Sequence, residues 1–276
     1  MIKKILCPTD FSEASLTGIE YASKLAQALN AQITLINIVK TSIGEGVTLF
    51  AGGERASVKE ANSSHALLDD YCKEISMTCN ITCNQIILPV LGSIEDNIAE
   101  TGKDFDLIVM GTNGVNELFS YYFGTHSFHV AKKVTTPVLI VPSDCTFKPL
   151  KKIIFASDYN TADVIFLKQI KQFIDLFNSD VKVIHVSKNN SELSQQVYRS
   201  FTNIMEEELS SFPRLSFQRI IGDDVQQQLE DIVNKTNPDL LITCLEEHNF
   251  LYKLVHRNLV KRLIDVSETP ILVMHV

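Results

Sequence analysis

The sequence predicts an α/β protein built as two tandem three-layer α/β/α domains, each holding a five-stranded parallel sheet. Short runs of Ile, Val and Leu alternate with stretches of helical periodicity along the chain, as in strand–helix–strand units. Those runs are apolar at consecutive positions, which fits strands covered on both faces. The chain also repeats itself. Lys3-Lys-Ile-Leu-Cys-Pro-Thr-Asp10 returns as Lys151-Lys-Ile-Ile-Phe-Ala-Ser-Asp158, at an offset of 148. Asp106-Leu-Ile-Val-Met110 returns as Asp239-Leu-Leu-Ile-Thr243, and Thr136-Pro-Val-Leu-Ile-Val141 as Thr269-Pro-Ile-Leu-Val-Met274, both at an offset of 133.

In the first copy the strands are expected at Ile2–Cys7, Ile33–Val39, Ile86–Val90, Leu107–Met110 and Val138–Val141. A helix begins near Ser12, whose hydroxyl suits an N-cap. Its apolar positions Leu16, Ile19, Ala22, Ala26 and Leu29 follow the helical period. A second helix is expected over Val58–Ile75 and a shorter one over Ile94–Glu100. A fourth is expected to start near Gly124 and to stop before Thr136-Pro137, where proline begins a strand without needing an N–H. Gly44, Gly46, Gly52 and Gly53 place a loop between Thr41 and Ser57.

The second copy places strands near Ile153–Ala156, Val181–Val186, Leu215–Ile221, Leu240–Thr243 and Ile271–His275. Ser143 to Pro149 reads as a linker, so the expected domains are residues 1–142 and 150–276.

The formal net charge of −8 makes a nucleic-acid partner a poor expectation, because that binding needs clustered Lys and Arg. The first residues lack an apolar stretch of signal-peptide length, and no run reaches the roughly 18 apolar residues of a membrane span. A cytoplasmic protein without a membrane partner is expected. Six cysteines are too sparse for a disulfide scaffold.

In an open α/β sheet, ligands bind beyond the carboxyl ends of the strands. After Leu107–Met110 comes Gly111-Thr-Asn-Gly114, and nine residues later Gly124-Thr125-His126-Ser127 at the head of the expected helix. Glycine permits close backbone approach, and a helix N-terminus offers unpaired N–H groups and partial positive charge. Thr125 and Ser127 add hydroxyls. This is an anion cradle that needs no lysine; a loop turn followed by a helix cap is the structural alternative.

With that pattern the chain resembles the universal stress protein family. The family signature is Gly, two residues, Gly, nine residues, then Gly followed by Ser or Thr, and Gly111, Gly114, Gly124 and Thr125 match it without a gap. The opening Lys-Ile-Leu-Cys-Pro-Thr-Asp-Phe-Ser and the closing Thr-Pro-Val-Leu-Ile-Val-Pro are similar to the family's first and last strands. The resemblance implies a Rossmann-like fold of the adenine nucleotide alpha hydrolase type. It also implies binding of ATP, with Mg2+ as its companion ion; AMP and cyclic AMP suit the same cradle. Asp10, with Pro8 and Thr9 beside it, would face the adenine edge and ribose. Ile38 would pack on adenine. Met110, Gly111, Asn113 and Gly114 would line ribose and phosphates, and Gly124, Thr125, His126 and Ser127 would hold the phosphates. Asn113 departs from members that carry His there. Asp10 as a helix cap and Ile38 as plain core packing remain the structural readings.

The second copy loses the signature. Gly111 to Gly114 become Cys244, Leu245, Glu246 and Glu247, while Gly124 and Thr125 become Arg257 and Asn258. Side chains replace close-approach backbone, and two glutamates stand where a polyanion would lie, so this half is expected not to bind ATP. In the family two domains associate edge to edge through their last strands. Val138–Val141 and Ile271–Met274 are placed to do so within one chain, and a homodimer of whole chains is a further option.

Competing chemistries lack their motifs. There is no Walker A lysine pattern, no Gly-x-Gly-x-x-Gly after the first strand and no Gly-x-Ser-x-Gly elbow. Cys79 and Cys83, if joined by extended chain, stand about 13 Å apart, too far for a disulfide. No metal site is expected there or at His126 and His129, and Cys7 reads as packing. No catalytic residue is assigned. A nucleotide-dependent switch or sensor of the stress response is the leading function; a slow ATPase and a nucleotide-independent interaction scaffold are the alternatives.

Overall fold

Ile5, Leu6 and Cys7 are fully buried in β1 (Lys4–Pro8), because the strand lies between two parallel neighbours and is covered on both faces. The computed structural model describes residues 1–39, 53–112, 120–160, 162–212, 214–245 and 268–275. In chain order the first half holds β1, α1 (Glu13–Leu29), β2 (Gln32–Val39), α2 (Gly53–Cys79), β3 (Cys83–Pro89), α3 (Ile94–Gly102), β4 (Leu107–Thr112), α4 (Ser120–Lys133) and β5 (Val138–Pro142). The second holds β6 (Lys152–Ala156), α5 (Ala162–Gln169), α6 (Lys171–Phe177), β7 (Asp180–Ser187), α7 (Glu192–Glu208), β8 (Leu215–Ile221), α8 (Val225–Thr236), β9 (Leu240–Leu245) and β10 (Ile271–His275).

The strands form one ten-stranded sheet in the order β3-β2-β1-β4-β5-β10-β9-β6-β7-β8. Within each half every described pairing is parallel, whereas β5 and β10 meet antiparallel, Leu139 opposite Leu272. Alternate strand residues feed two cores, one on each face of the sheet. Ile5, Leu35 and Val109 join residues of α1 and α2 in one, along with Phe166 of α5 and Met205 of α7. Leu6, Ile108 and Met110 join α3, α4 and α8 in the other. A three-layer α/β arrangement results.

The repeat is visible in the hydrogen bonds. Asp106 Oδ2 accepts the backbone N–H groups of Lys3 and Lys4 at 2.7 and 2.9 Å. Asp239 Oδ2 does the same for Lys151 and Lys152 at 2.9 and 2.8 Å.

The helices differ most from the sequence expectation. α4 begins at Ser120, four residues before Gly124. The intervening Tyr121, Tyr122 and Phe123 carry no helix breaker, and one internal glycine costs only about 1 kcal/mol. α2 begins at Gly53, inside the span read as a loop, because Glu54, Arg55 and Ala56 favour helix once a turn has formed. The second-half counterpart of α1 is broken into α5 and α6 at Ile170 (φ −85°, ψ 1°).

Packing between α1 and β4 explains part of that contrast. A Cβ on Gly111 would fall 1.7 Å from the Ala14 carbonyl oxygen, and one on Gly18 would fall 2.6 Å from the Gly111 nitrogen. The two backbones therefore touch. At the corresponding second-half positions stand Phe166 and Cys244, whose side chains share one core.

Candidate binding site

A pocket of about 500 Å³ opens beyond the carboxyl ends of β1, β2 and β4. That volume lies in the range of small-molecule sites. Pro8, Thr9, Asp10, Ile38, Met110, Gly111 and Ser127 all line it, so seven of the residues singled out in the sequence come together there.

The loop after β1 is held from several sides. Asn37 Nδ2 donates to the Thr9 carbonyl at 2.7 Å, and Thr9 N–H donates to Ile36 O at 2.9 Å. The Thr9 hydroxyl lies 3.0 Å from the Ser15 hydroxyl and accepts the Phe11 N–H at 3.0 Å. Phe11 takes the left-handed conformation at φ 63°. Such strain in a non-glycine residue is tolerated where the surroundings over-determine the turn. Asp10 Oδ1 accepts the Ser12 N–H at 3.0 Å, and Ser12 caps α1 by accepting the Ser15 N–H at 3.3 Å. The capping role thus belongs to Ser12, and Asp10 stands exposed at the pocket rim, with acceptor capacity left on its carboxylate.

Ile36, Ile38, Ile98 and Met110 give one side of the pocket an apolar wall. Ser127 is buried, and its hydroxyl donates to the Gly111 carbonyl at 3.3 Å. It sits in the third turn of α4, not at the helix head. Gly111 is required first by the approach of α1, whatever else it serves. Asn113 and Gly114 lie outside the described residues, as do the side chains of Thr125 and His126; Gly124 falls in the second turn of α4. Second-half residues Glu246, Glu247, Arg257 and Asn258 lie outside them too. Burial pushes the Cys7 thiol far up, which makes it an inert packing group.

Sequence reasoning missed Asn37, Phe11 and Ser15, which shape the loop, and Ser64, Ile94 and Ile98, which α2 and α3 bring to the wall. Asn37 left a signal, an amide inside the otherwise apolar Ile36-Asn-Ile-Val39. The wall residues of α2 and α3 left none, since nothing local says which face of a helix overlooks a crevice.

The second half builds the same turn with other side chains. Tyr159 N–H donates to the Ser157 hydroxyl at 3.0 Å, Tyr159 has φ 67°, and Asn160 N–H donates to Asp158 Oδ1 at 3.2 Å. Here His185 takes the place of Asn37, its Nδ1 lying 2.8 Å from the Ser157 carbonyl. The His185 ring stacks on Tyr159 at 3.6 Å between centroids, and Phe201 closes on Tyr159 at 4.7 Å. Burial lowers the His185 pKa; the Ser157 carbonyl and Asp158 oppose that shift, and Arg219 adds to it.

No helix among the described residues is long and apolar enough to cross a membrane. A sequence model of the universal stress protein family matches residues 1–142. Two universal stress proteins of Methanocaldococcus jannaschii are similar to the chain. One is 28% identical over 141 residues, covering 51% of this chain and 82% of that protein. The other is 25% identical over 157 residues, covering 51% and 95%. The solved structure of a universal stress protein from Archaeoglobus fulgidus shares the fold over 99% of this chain and 98% of its own, with a TM-score of 0.79 at 17% identity.

Proposed function

The chain belongs to the universal stress protein family, and from that membership we propose that its first half binds an adenine nucleotide, ATP above all, as a switch or sensor of the stress response. The observation that carries this reading is the 500 Å³ pocket that gathers Pro8, Thr9, Asp10, Ile38, Met110, Gly111 and Ser127. The residues fit the ligand's two chemistries. Ile36, Ile38 and Met110 offer an apolar face to a purine. The Asp10 carboxylate can accept a hydrogen bond from an adenine amino group or a ribose hydroxyl. AMP and cyclic AMP would use the same contacts.

On this reading residues 1–142 and 150–276 are two domains of one cytoplasmic chain, paired through β5 and β10, and only the first takes nucleotide. The stacked Tyr159 and His185 stand where the first half keeps Phe11 and Asn37 on the pocket wall. Bound ligand would stabilise the fold by about 2.7 kcal/mol at a hundredfold excess over Kd.

Phosphates are assigned to Gly124, Thr125, His126 and Ser127, and ribose with phosphates to Met110, Gly111, Asn113 and Gly114. N–H groups of Gly124 and Thr125 fall past the first four of α4, so they lie within its hydrogen-bond ladder. To hold phosphate they must leave that ladder, and ligand binding is expected to open the turn at 120–123. Residue-resolved amide exchange checks this. ATP should change exchange at 124 and 125, whose N–H groups would trade a helix carbonyl for phosphate; unchanged exchange there removes these two N–H groups from the site.

The decisive test is the nucleotide content of the purified chain. Gentle denaturation and mass spectrometry should release about one adenine nucleotide per chain. Two per chain would overturn the reading of the second half. None released, with no rise in melting temperature on adding ATP, AMP or cyclic AMP, would overturn nucleotide binding altogether.

A further inference from the structure

Two cysteines outside the pocket face each other. Cys72 lies in the third-last turn region of α2 and is buried, at 8% exposure, where the helix packs on the sheet. Cys83 opens β3 and is half-buried. The chain reverses between them through Asn80, at φ 53°. The Cys83 thiol donates to Cys72 Sγ at 2.8 Å, and the Cys72 thiol donates to the Asn84 carbonyl at 3.3 Å. The pair is not used by the proposed nucleotide site.

We propose that Cys72 and Cys83 form a reversible oxidation site that closes to an intramolecular disulfide when the protein meets hydrogen peroxide. The roles follow from the hydrogen bond. A thiol proton aimed at Cys72 Sγ favours a thiolate there and holds the Cys72 pKa below the ordinary thiol value, against the opposing effects of burial, the Asp69 charge and the Asn84 carbonyl, to which the neutral Cys72 thiol donates. Donating that bond keeps Cys83 protonated and pushes its own pKa up. Cys72 thiolate attacks one peroxide oxygen, the O–O bond breaks, and with one proton taken up water leaves and a sulfenic acid forms. Cys83 sulfur then attacks the sulfenic sulfur, the S–O bond breaks, and the Cys83 proton leaves with the hydroxide as a second water. The two thiols are oxidised by two electrons and peroxide is reduced to two waters. A dithiol reductant reverses the reaction by exchange.

The bond would tie α2 to the edge strand. Tyr71, beside Cys72, stacks on Phe11 of the pocket wall at 6.3 Å between centroids, so the crosslinked helix is one that touches the candidate site. The chemistry is independent of whether that site takes nucleotide.

The test uses the full chain. It is treated with hydrogen peroxide, its remaining thiols are blocked, and it is digested with trypsin and mapped by mass spectrometry. Thiols titrated after denaturation should fall by two from the six in the sequence, and dithiothreitol should restore them. Cleavage after Lys73 separates Cys72 from Cys83, so the bond appears as a crosslink between two peptides. Cys79 shares the Cys83 peptide, and Cys79→Ser should leave the crosslink intact. Cys83→Ser should abolish the paired loss. The oxidised chain should melt several degrees higher than the reduced one. The proposal is overturned if peroxide that oxidises free glutathione leaves all six thiols, if the crosslink joins other cysteines or separate chains, or if Cys83→Ser still loses two. Should Cys83→Ser fail to fold, the peptide map of the unaltered chain decides alone.

Discussion

Around the first turn of each half the backbone is nearly the same and the side chains are not. Thr9 and Ser157 both accept an N–H from a residue held at positive φ, Phe11 in one case and Tyr159 in the other. Asn37 and His185 both reach the carbonyl of that hydroxyl residue. In the first half these groups border an open pocket; in the second, two rings lie flat on each other at 3.6 Å. Backbone hydrogen bonds thus preserve a scaffold, while the side chains set on it differ.

The largest expected effect comes from giving the first half the second half's residue at Gly111. In Gly111→Cys the new Cβ meets the Ala14 carbonyl oxygen, a backbone atom that cannot swing away. Overpacking of this kind should cost about 3 kcal/mol or more, read as a lower denaturant midpoint, with loss of the thermal shift by nucleotide. The reverse exchange, Cys244→Gly, should cost less. Equal costs would mean that α1 does not rest on β4 as described.

Next come the matched carboxylates. Asp239 is buried, accepts two N–H groups and pairs with Lys148 at 2.9 Å, whereas Asp106 is exposed. Truncating the buried acceptor leaves its donors unsatisfied. Asp239→Ala should therefore cost about 2–3 kcal/mol and Asp106→Ala about 1 kcal/mol in equilibrium unfolding.

A smaller effect concerns pH. The folded His185 pKa lies below its unfolded value, so the unfolded chain binds the proton more readily. Stability contributed by the neutral ring is present above pH ~6.5 and lost as pH falls toward the folded pKa. His185→Asn, which copies Asn37, should flatten the decline in melting temperature between pH 7 and 5. A decline equal to that of the unaltered chain would assign it elsewhere.

The smallest concerns Tyr159, whose buried hydroxyl has no hydrogen-bond partner among the described residues. Tyr159→Phe copies Phe11 and should change stability by less than about 1 kcal/mol, toward greater stability. A clear loss would show that the hydroxyl is satisfied after all.

How much of this was legible depended on the range of the physics involved. Strand positions were readable within a few residues, because burial on both faces writes itself as consecutive Ile, Val and Leu. The register of the repeat, and hence the equivalence of Gly111 with Cys244, was readable from matched segments. The start of α4 was not, because Gly124 serves equally as a helix start and as an internal glycine. The nearness of Cys72 to Cys83 was invisible as well; the sequence invited a look at Cys79 and Cys83, whereas the turn at Asn80 brings the earlier cysteine round. Asp10 was undecided between cap and ligand group; the Ser12 hydroxyl holds the cap, and the ligand role of Asp10 rests with the nucleotide test.

The antiparallel junction of β5 with β10 has a consequence for how such a chain can diverge. Two identical subunits joined through equivalent strands share every substitution, and each change must be tolerated twice, once on either side of the axis. Joining the partners in one polypeptide removes that constraint and makes their association independent of protein concentration. A glycine that one half cannot lose can then become a cysteine in the other, and an asparagine beside a cavity in one can become a histidine stacked on tyrosine in the other. Covalent linkage is in this sense a licence for asymmetry: one half is free to change while its counterpart stays fixed.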